Sequence, residues 1–456
     1  MSLKYKYLLR FCFFLFLTIP LIVKSEDNVG SNQDKISLNP NLAPTFFSLR
    51  SERENIAQEN YYDFIRSSII EQPEYAYSIS TVTEKNMLLK FEQRTRFPDL
   101  SFKVINDEVI SRDVDDFTSI RKRQDDSFDV AVELSQPIYS GGTISSRIKM
   151  ARIDYNISKA ARDDSFSKLI LDANRIYLQA VRSDFLFNYS SKMLEGLKPY
   201  LKKVEERVSI GISDPIELAI FSIKFNTFSS RVQKLKTERD RDVGIFEYFF
   251  KRKFLNYNFP EIFVPNLELD NKESYDVQAS RLQYRNAEAE TNLVKGEFRP
   301  QFGFNARFTS YDIDDKEKKD KDIRGGLYFS MPIFTFGRAS AKISSAKAKE
   351  NARKMSIGIE KKNDETRENE IVNIVQSSQN TRKDLVSSFI DTKLQRKIIN
   401  DRLDVISFST DALVNSYSEE LTLLENILET ETSLLHGYFL YLHQNRLLLG
   451  YLGVKP

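Results

Sequence analysis

The stretch FDVAVELSQPIYSGGTISSRIKMAR, Phe128–Arg152, has a second copy in the chain, GGLYFSMPIFTFGRASAKISSAKAK, Gly325–Lys349. Aligned on Pro137 and Pro332, 195 residues apart, both read Ser-x-Pro-Ile-aromatic-small-x-Gly-x-x-Ser-x-basic-Ile-x-x-Ala-basic. In each copy a two-residue alternation of apolar and polar side chains runs into a Pro, then a Gly, then a long helical pattern. The turn residues are Pro137, Gly141 and Gly142 in the first copy and Pro332 and Gly337 in the second. A strand that turns and becomes a very long helix, made twice, is the plan of the chain.

Working outward, each copy has a partner strand on its N-terminal side. Leu100, Phe102 and Val104 share one face against Ser101 and Lys103; Phe128, Val130, Val132 and Leu134 share one face against Asp129, Ala131, Glu133 and Ser135. In the second half Phe302, Phe304, Ala306 and Phe308 oppose Gln301, Asn305, Arg307 and Thr309, and Leu327, Phe329, Met331 and Ile333 oppose Tyr328 and Ser330. This strict period of two predicts strands at about 99–110, 127–138, 300–311 and 324–335. A soluble sandwich would need a second apolar sheet to cover the apolar face, and the chain offers only these four strands. In a membrane barrel that face meets lipid and the polar face meets water in the lumen. Four strands close no barrel, and an open edge in lipid is forbidden. Several chains must share one barrel.

After each second strand the helical pattern is unusually long. The first runs from about Thr143 to Ile210, roughly 100 Å at 1.5 Å per residue, and the second from about Arg338 to Ser416. Leu194, Leu197, Leu201, Val204 and Val208 form a coiled-coil seam, with Pro199 expected to bend it locally. The first helix stops at Gly-Ile-Ser-Asp-Pro-Ile-Glu, residues 211–217: Gly211 suits a C-terminal stop, Asp214 an N-cap, Pro215 the first helical position and Glu217 the third. Two antiparallel helices therefore meet at a tight tip. The returning helices are expected to end near Phe254 and Gly450. Earlier helical patterns cover about Asn55–Arg96, interrupted only by Pro73, and about Ser274–Glu297.

Composition agrees with long, exposed helices: of 456 residues, 29% are charged, with 15 Gly, 13 Pro and no Trp. The N-terminus reads as a signal peptide over residues 1–25, with Lys4, Lys6 and Arg10 ahead of the apolar FCFFLFLTIPLIV and cleavage after Ser25. The apolar run is too short for a membrane span. The lone cysteine, Cys12, would leave with it, so the exported chain would be free of disulfides. Loss of the four basic residues of this segment leaves 63 Lys+Arg against 65 Asp+Glu, a balance that offers nothing to nucleic acid. The expected organisation is thus 1–25 signal peptide, 26–54 polar N-terminal arm, 55–255 first repeat, 256–272 linker and 273–456 second repeat.

With the repeated Pro-Ile-aromatic strand exits, the Gly-x-x-Asp-Pro-x-Glu tip and the signal peptide together, the chain resembles the TolC family of outer-membrane efflux proteins over roughly residues 55–453. The resemblance implies a mainly α protein with a small membrane β part. It implies a homotrimer whose twelve-stranded barrel is continued by an α-helical periplasmic tunnel in the outer membrane of a Gram-negative bacterium. The implied partners are outer-membrane lipid, a periplasmic adaptor (membrane fusion) protein and an inner-membrane proton-driven or ABC-type transporter. The implied role is passive exit for drug efflux or type I protein secretion. In the family the closed tip is held by polar bonds between coiled coils. By resemblance the acidic tip residue is Glu217 and the tyrosine at the start of the second turn is Tyr417. The two acidic residues ringing the narrowest point correspond to Asn426 and Glu429, and aligning the two halves at their tips puts Asn426 opposite Glu217. The basic residue between Tyr417 and Asn426 is replaced by Thr422, and the second-turn Gly by Glu420, so the expected salt-bridge lock gives way to a Tyr417–Glu217 hydrogen bond. Glu217 also reads as a plain helix cap, and Tyr417 as a packing aromatic. Three Glu429 carboxylates converging in a trimer would attract cations.

No enzymatic chemistry is legible, and no cofactor is expected. His436 and His443 are the only histidines, seven apart on one helix face, a spacing too long for one metal and suited to packing. There is no phosphate-binding loop, and the Asp/Lys run at 312–322 lacks the Gly and Glu spacing of a calcium loop; it reads as a loop outside the cell. Two other readings stand beside the channel: a periplasmic coiled-coil adaptor, which should carry compact β modules around one hairpin, and a structural envelope protein with a sealed lumen.

Overall fold

The computed structural model describes residues 60–454 apart from 109, 111–126, 256, 261, 268–271, 312, 314–319 and 403–409. The expected signal peptide and N-terminal arm lie outside the described residues, as do most of the two strand-to-strand loops. The elements are α1 (Tyr61–Ile70), α2 (Pro73–Arg94), β1 (Asp99–Asp107), β2 (Ser127–Tyr139), α3 (Thr143–Ser209) and α4 (Pro215–Phe250). They continue as α5 (Tyr275–Glu297), β3 (Gln301–Ser310), β4 (Lys321–Ser330), α6 (Arg338–Arg402), α7 (Thr410–Gln444) and the short α8 (Leu448–Tyr451). The fold is mainly helical with one small antiparallel sheet. Among the described residues no helix is long and apolar enough to cross a membrane.

Several boundaries differ from the sequence expectation. The first helical pattern divides into α1 and α2 because Pro73 opens a new helix. The Gln72 side-chain amide donates to the carbonyls of Ser68, at 3.2 Å, and Phe249, at 2.9 Å. The returning helices α4 and α7 end at Phe250 and Gln444, short of 254 and 450. Strand β4 runs over Lys321–Ser330 instead of 324–335. Its last partner is Gln301, the first residue of β3, so Met331 and Pro332 have nothing to pair with on that side, and Pro332 has no N–H to offer. Pro137 fares differently in β2, a strand flanked on both sides. It sits opposite Gly303, with a bulge between Pro137 and Tyr139. Helix α3 continues through Pro199 over 67 residues.

The sheet order is β1-β2-β3-β4, every pair antiparallel. Register stacks Leu100, Leu134 and Ala306 in one row, Phe102, Val132, Phe308 and Ile323 in the next, and Phe329 opposite Phe302. One face is therefore apolar, as the alternation predicts. It is also uncovered: Phe102 is 66% exposed, Ile323 79% and Leu327 78%. The other face carries Glu133 between Lys103, at 2.6 Å, and Arg307, with Ser135 donating to Asn305 at 2.9 Å. Close packing demands a glycine in β3. A Cβ on Gly303 would lie 2.6 Å from the Gln136 carbonyl and 2.7 Å from the Tyr328 ring.

The two strand-to-helix turns obey the same 195-residue offset. Gly141 and Gly142 take φ +67° and +93°, and their counterparts Phe336 and Gly337 take +47° and +81°. Gly141 is pressed against the end of α5, where a Cβ would sit 2.3 Å from the Gly296 carbonyl. Phe336, whose ring lies 4.5 Å from that of Phe334, is 90% exposed.

Helix α3 packs against α1, α2, α4, α5, α7 and α8 and is the spine of the molecule. The largest core lies midway along it, where Phe166, Ile170, Tyr177 and Leu178 meet Phe64 and Ile65 of α1, Phe246 and Phe250 of α4, and Phe439 of α7. Of the expected seam, Leu197 and Val204 are buried while Leu194, Leu201 and Val208 are partly so. The histidines pack, as their spacing suggested: a 2.7 Å hydrogen bond joins His443 Nδ1 and Ser167 Oγ.

Burial holds His443 below the usual histidine pKa, with Lys168 adding to it and Asp164 and Asp276 opposing. His436 is likewise depressed by burial, then by Arg175, against Asp172. A depressed folded-state pKa means that the unfolded chain binds more protons, so this contribution is complete above about pH 6.5 and is lost as pH falls toward the folded values. The thermal midpoint should drop between pH 7.5 and 5, and His443→Gln should flatten that slope. Gly303→Ala should cost about 1–3 kcal/mol, measured as a lower denaturation midpoint. Gly326→Ala, with nothing within 4 Å of the added Cβ, is the matched control.

Candidate functional site

The first tip is built as its residues dictate. Gly211 takes φ +76°, the Gly211 N–H donates to Val208 O at 3.0 Å and the Ile212 N–H to Arg207 O at 2.9 Å. This pair of bonds is a Schellman stop. Asp214 caps α4, its Oδ1 accepting from the Ile216 N–H at 2.8 Å; Pro215 is the first helical residue and Glu217 lies in the first turn. Five isoleucines around the tip, 210, 212, 216, 220 and 223, are exposed.

The second turn is not where the Tyr417 motif placed it. Helix α6 ends at Arg402 and α7 begins at Thr410, so Ser416 and Tyr417 lie inside α7. The connection, residues 403–409, lies outside the described residues. The offset that relates Pro137 to Pro332 carries Pro215 to Thr410, the first described residue of α7. Matching Glu217 to Asn426 requires a slip of 14 residues from that offset. Two whole heptads return a coiled-coil helix to the same face, so the periodicity of the sequence could not detect the slip.

The expected Tyr417–Glu217 bond is replaced by other contacts. Lys224 of α4 lies level with Asp411 and Asn415 of α7, and Arg231 with Ser418, Thr422 and Glu425. On that scale Glu217 and Tyr417 are separated by roughly 15 Å along the helix axes. The cross-links themselves are two rungs between the hairpins. One joins Lys224 to Asp411 and, at 2.9 Å, to Asn415. In the other, Arg231 donates to Thr422 Oγ1 at 3.0 and 3.1 Å and to Glu425 at 2.6 Å. Thr422 is thus part of a cross-link, and the basic residue that the motif lacks at this position is supplied by α4. Asn426 and Glu429 lie on an exposed face of α7, with Glu429 Oε2 3.5 Å from the Arg182 guanidinium.

Glu420, expected to mark a turn, lies in the third turn of α7 and is fully buried. Its carboxylate accepts from the Tyr189 hydroxyl of α3 and from Arg396 of α6, the second guanidinium nitrogen at 3.3 Å. The Arg396 guanidinium stands over the Tyr417 ring, 4.8 Å from its centroid. Tyr417 is buried, its hydroxyl 3.5 Å from where a Cβ on Gly196 of α3 would be. Burial opposes the Arg396 charge, but Glu420 and the Tyr417 hydroxyl outweigh it and hold the guanidinium pKa above its ordinary value. Other buried charges are paired between helices: Asp184 accepts from Arg239 at 3.1 Å, and Glu431 pairs with Arg382. Burial raises the Glu431 pKa against the pull of Arg382. None of these partnerships has a short-range sequence signature. Among the described residues no group of three or more His, Cys, Asp or Glu side chains could hold a metal ion.

No protein-family model matches the chain, and no curated protein matches its sequence. Solved structures do match. The Campylobacter jejuni CmeC outer membrane channel aligns with 94% of this chain and 94% of its own at TM-score 0.71 and 14% identity. The open state of the Neisseria gonorrhoeae MtrE outer membrane channel aligns with 85% of this chain and 88% of its own at 0.70 and 13%. The Vibrio cholerae outer membrane protein VceC aligns with 83% and 95% at 0.66 and 12%. The chain has the fold of TolC-like outer-membrane channels.

The buried and exposed links should differ sharply in cost. Glu425→Ala removes a partly exposed partner and should cost under about 1 kcal/mol. Glu420→Ala empties a fully buried site and strands the partly buried Arg396, and should cost about 3–5 kcal/mol. Denaturant midpoints of the two variants measure the difference.

Proposed function

We propose that the chain is one protomer of a passive outer-membrane channel that gives exit to substrates delivered by an inner-membrane pump. The observation that carries this reading is the sheet. Among the described residues its apolar face is bare, its opposite face is lined with paired charges, and β1 and β4 each have a neighbour on one side only. Leaving seven such apolar side chains in water forgoes roughly 10–20 kcal/mol, as much as a whole domain's net stability. Lipid against that face removes the cost, provided that the edges are closed by further copies of the strands. Three protomers would make a twelve-stranded barrel. The second strand exit supports a neighbour as well: Phe336 is exposed where its counterpart Gly141 is packed against α5.

On this reading α3–α4 and α6–α7 extend into the periplasm as a tunnel, and the tip engages an adaptor protein and a proton-driven or ABC-type transporter. Energy comes from that transporter. Cargo is small molecules or secreted protein, according to the pump. The gate region comprises Asp214 and Glu217 at the first tip with Tyr417, Thr422, Asn426 and Glu429 on α7. The Lys224 and Arg231 rungs hold the two hairpins together in the closed state. Glu429 adds negative charge to the passage, reduced by Arg182.

The test is to reconstitute the full-length protein in a planar bilayer after crosslinking shows its stoichiometry. Discrete conductance steps from a trimer are expected, and Glu429→Gln should shift the reversal potential in a salt gradient toward zero by weakening cation preference. A monomer without conductance would overturn the channel reading.

A further inference from the structure

We propose that the helix ends next to the sheet carry an arginine collar that binds the phosphate groups of anionic phospholipids in the periplasm-facing leaflet of the outer membrane. The inference rests on the channel reading and adds to it a lipid class and the residues that select it. Four segments enter or leave the sheet at this end: residues 93–98, 140–152, 295–300 and 331–347. Together they hold ten Lys+Arg and one acidic residue, Glu297. The connections that join β1 to β2 and β3 to β4, residues 108–126 and 311–320, hold eleven Asp+Glu against seven Lys+Arg. One end of the strands is thus basic and the other acidic.

Position and pairing decide what the collar can hold. Arg94 ends α2, Arg338 begins α6, Arg147 lies one turn into α3, and Arg96 and Arg299 stand just before β1 and β3. The Arg96 carbonyl accepts from the Gln136 side chain at 2.9 Å, which ties the entry to β1 to the end of β2. Lys149 and Lys342 are paired with Glu288 at 3.4 Å and Glu297 at 2.5 Å. The five arginines are exposed, and among the described residues they have no carboxylate partner. On the proposed assembly β4 of one copy pairs with β1 of the next. The exit after β4 then stands beside that entry, as Gly141 of the exit after β2 stands against Gly296 and Arg299. Arg338 thereby joins Arg94 and Arg96 of the neighbouring copy. Three guanidinium groups without a carboxylate repel one another until an anion sits among them, and their planar fork matches a phosphate bidentately. Phe97 and Phe334, 66% and 73% exposed, lie in sequence between the strands and these arginines. Aromatic rings at a strand end mark the level of the headgroups, so the anion that the arginines meet there is a phospholipid phosphate.

The test is to reconstitute the full-length protein in vesicles of equimolar phosphatidylcholine and phosphatidylglycerol, extract it, and identify the retained lipid by native mass spectrometry. The wild type should retain phosphatidylglycerol over phosphatidylcholine about tenfold or more, and extraction at about 1 M salt should remove most of that preference. Arg94→Gln/Arg96→Gln/Arg338→Gln should retain the two lipids equally. Lys198→Gln/Lys202→Gln/Lys236→Gln removes the same charge far from the sheet and should behave as the wild type. Equal retention of both lipids by the wild type would overturn the collar and leave the channel reading intact. So would an unchanged lipid preference in the arginine variant accompanied by altered ion selectivity in a planar bilayer, which would place these side chains in the lumen. Failure of the wild type to insert into these vesicles and into phosphatidylcholine alone would overturn both.

Discussion

A sheet with one apolar face in the open and two edges that pair on one side only cannot be a finished structure. Each unmet requirement has a physical size: about 1.5–3 kcal/mol for every large apolar side chain left in water, and several kcal/mol for each edge amide placed in lipid without a partner. On the proposed reading both are met at once, by copies of the sheet that join edge to edge with the apolar face outward. The rest of the molecule follows from that constraint. The strands hand over to helices at two glycine-bearing turns, whose left-handed backbone conformations let a strand pass directly into a helix.

Helices of this length gain little from local propensity and must be held laterally. The aromatic core midway along α3 does this at the level where α4 and α7 end. Nearer the tip a buried apolar seam continues through Leu197, Phe221, Phe228, Leu421 and Leu424, and paired charges between helices join it: Asp184 with Arg239, Glu431 with Arg382, Glu420 with Arg396. Such pairs add less to stability than well-packed apolar contacts would. They hold register between helices whose periodic surfaces would otherwise tolerate sliding.

The strands, their apolar and polar faces, the two exits and the first tip could be read from the chain because each depends on local chemistry. Alternation sets the faces, and Gly211, Asp214 and Pro215 each have one conformation to offer. The second tip could not be read. A match based on Tyr417 and its neighbours fell two heptads from the offset that the strand exits set, and helical periodicity is blind to a shift of that size. The same error made Glu420 look like a misplaced turn residue. In the fold it is a buried carboxylate with partners on α3 and α6, 231 and 24 residues away in sequence.

What the sequence alone determined was therefore the list of parts: four half-apolar strands, two very long helices with their returns, and the duplicated strand-to-helix turn. These are properties of residues within a few positions of one another. Only the tertiary structure decided which turns of α4 and α7 stand side by side, that Arg231 supplies the charge missing beside Thr422, and that Tyr417 faces Gly196 and Arg396 while Glu217 stays at the tip. Those outcomes depend on the axial register of long helices. Register is a sum of many weak contacts along their whole length, and no short motif contains it.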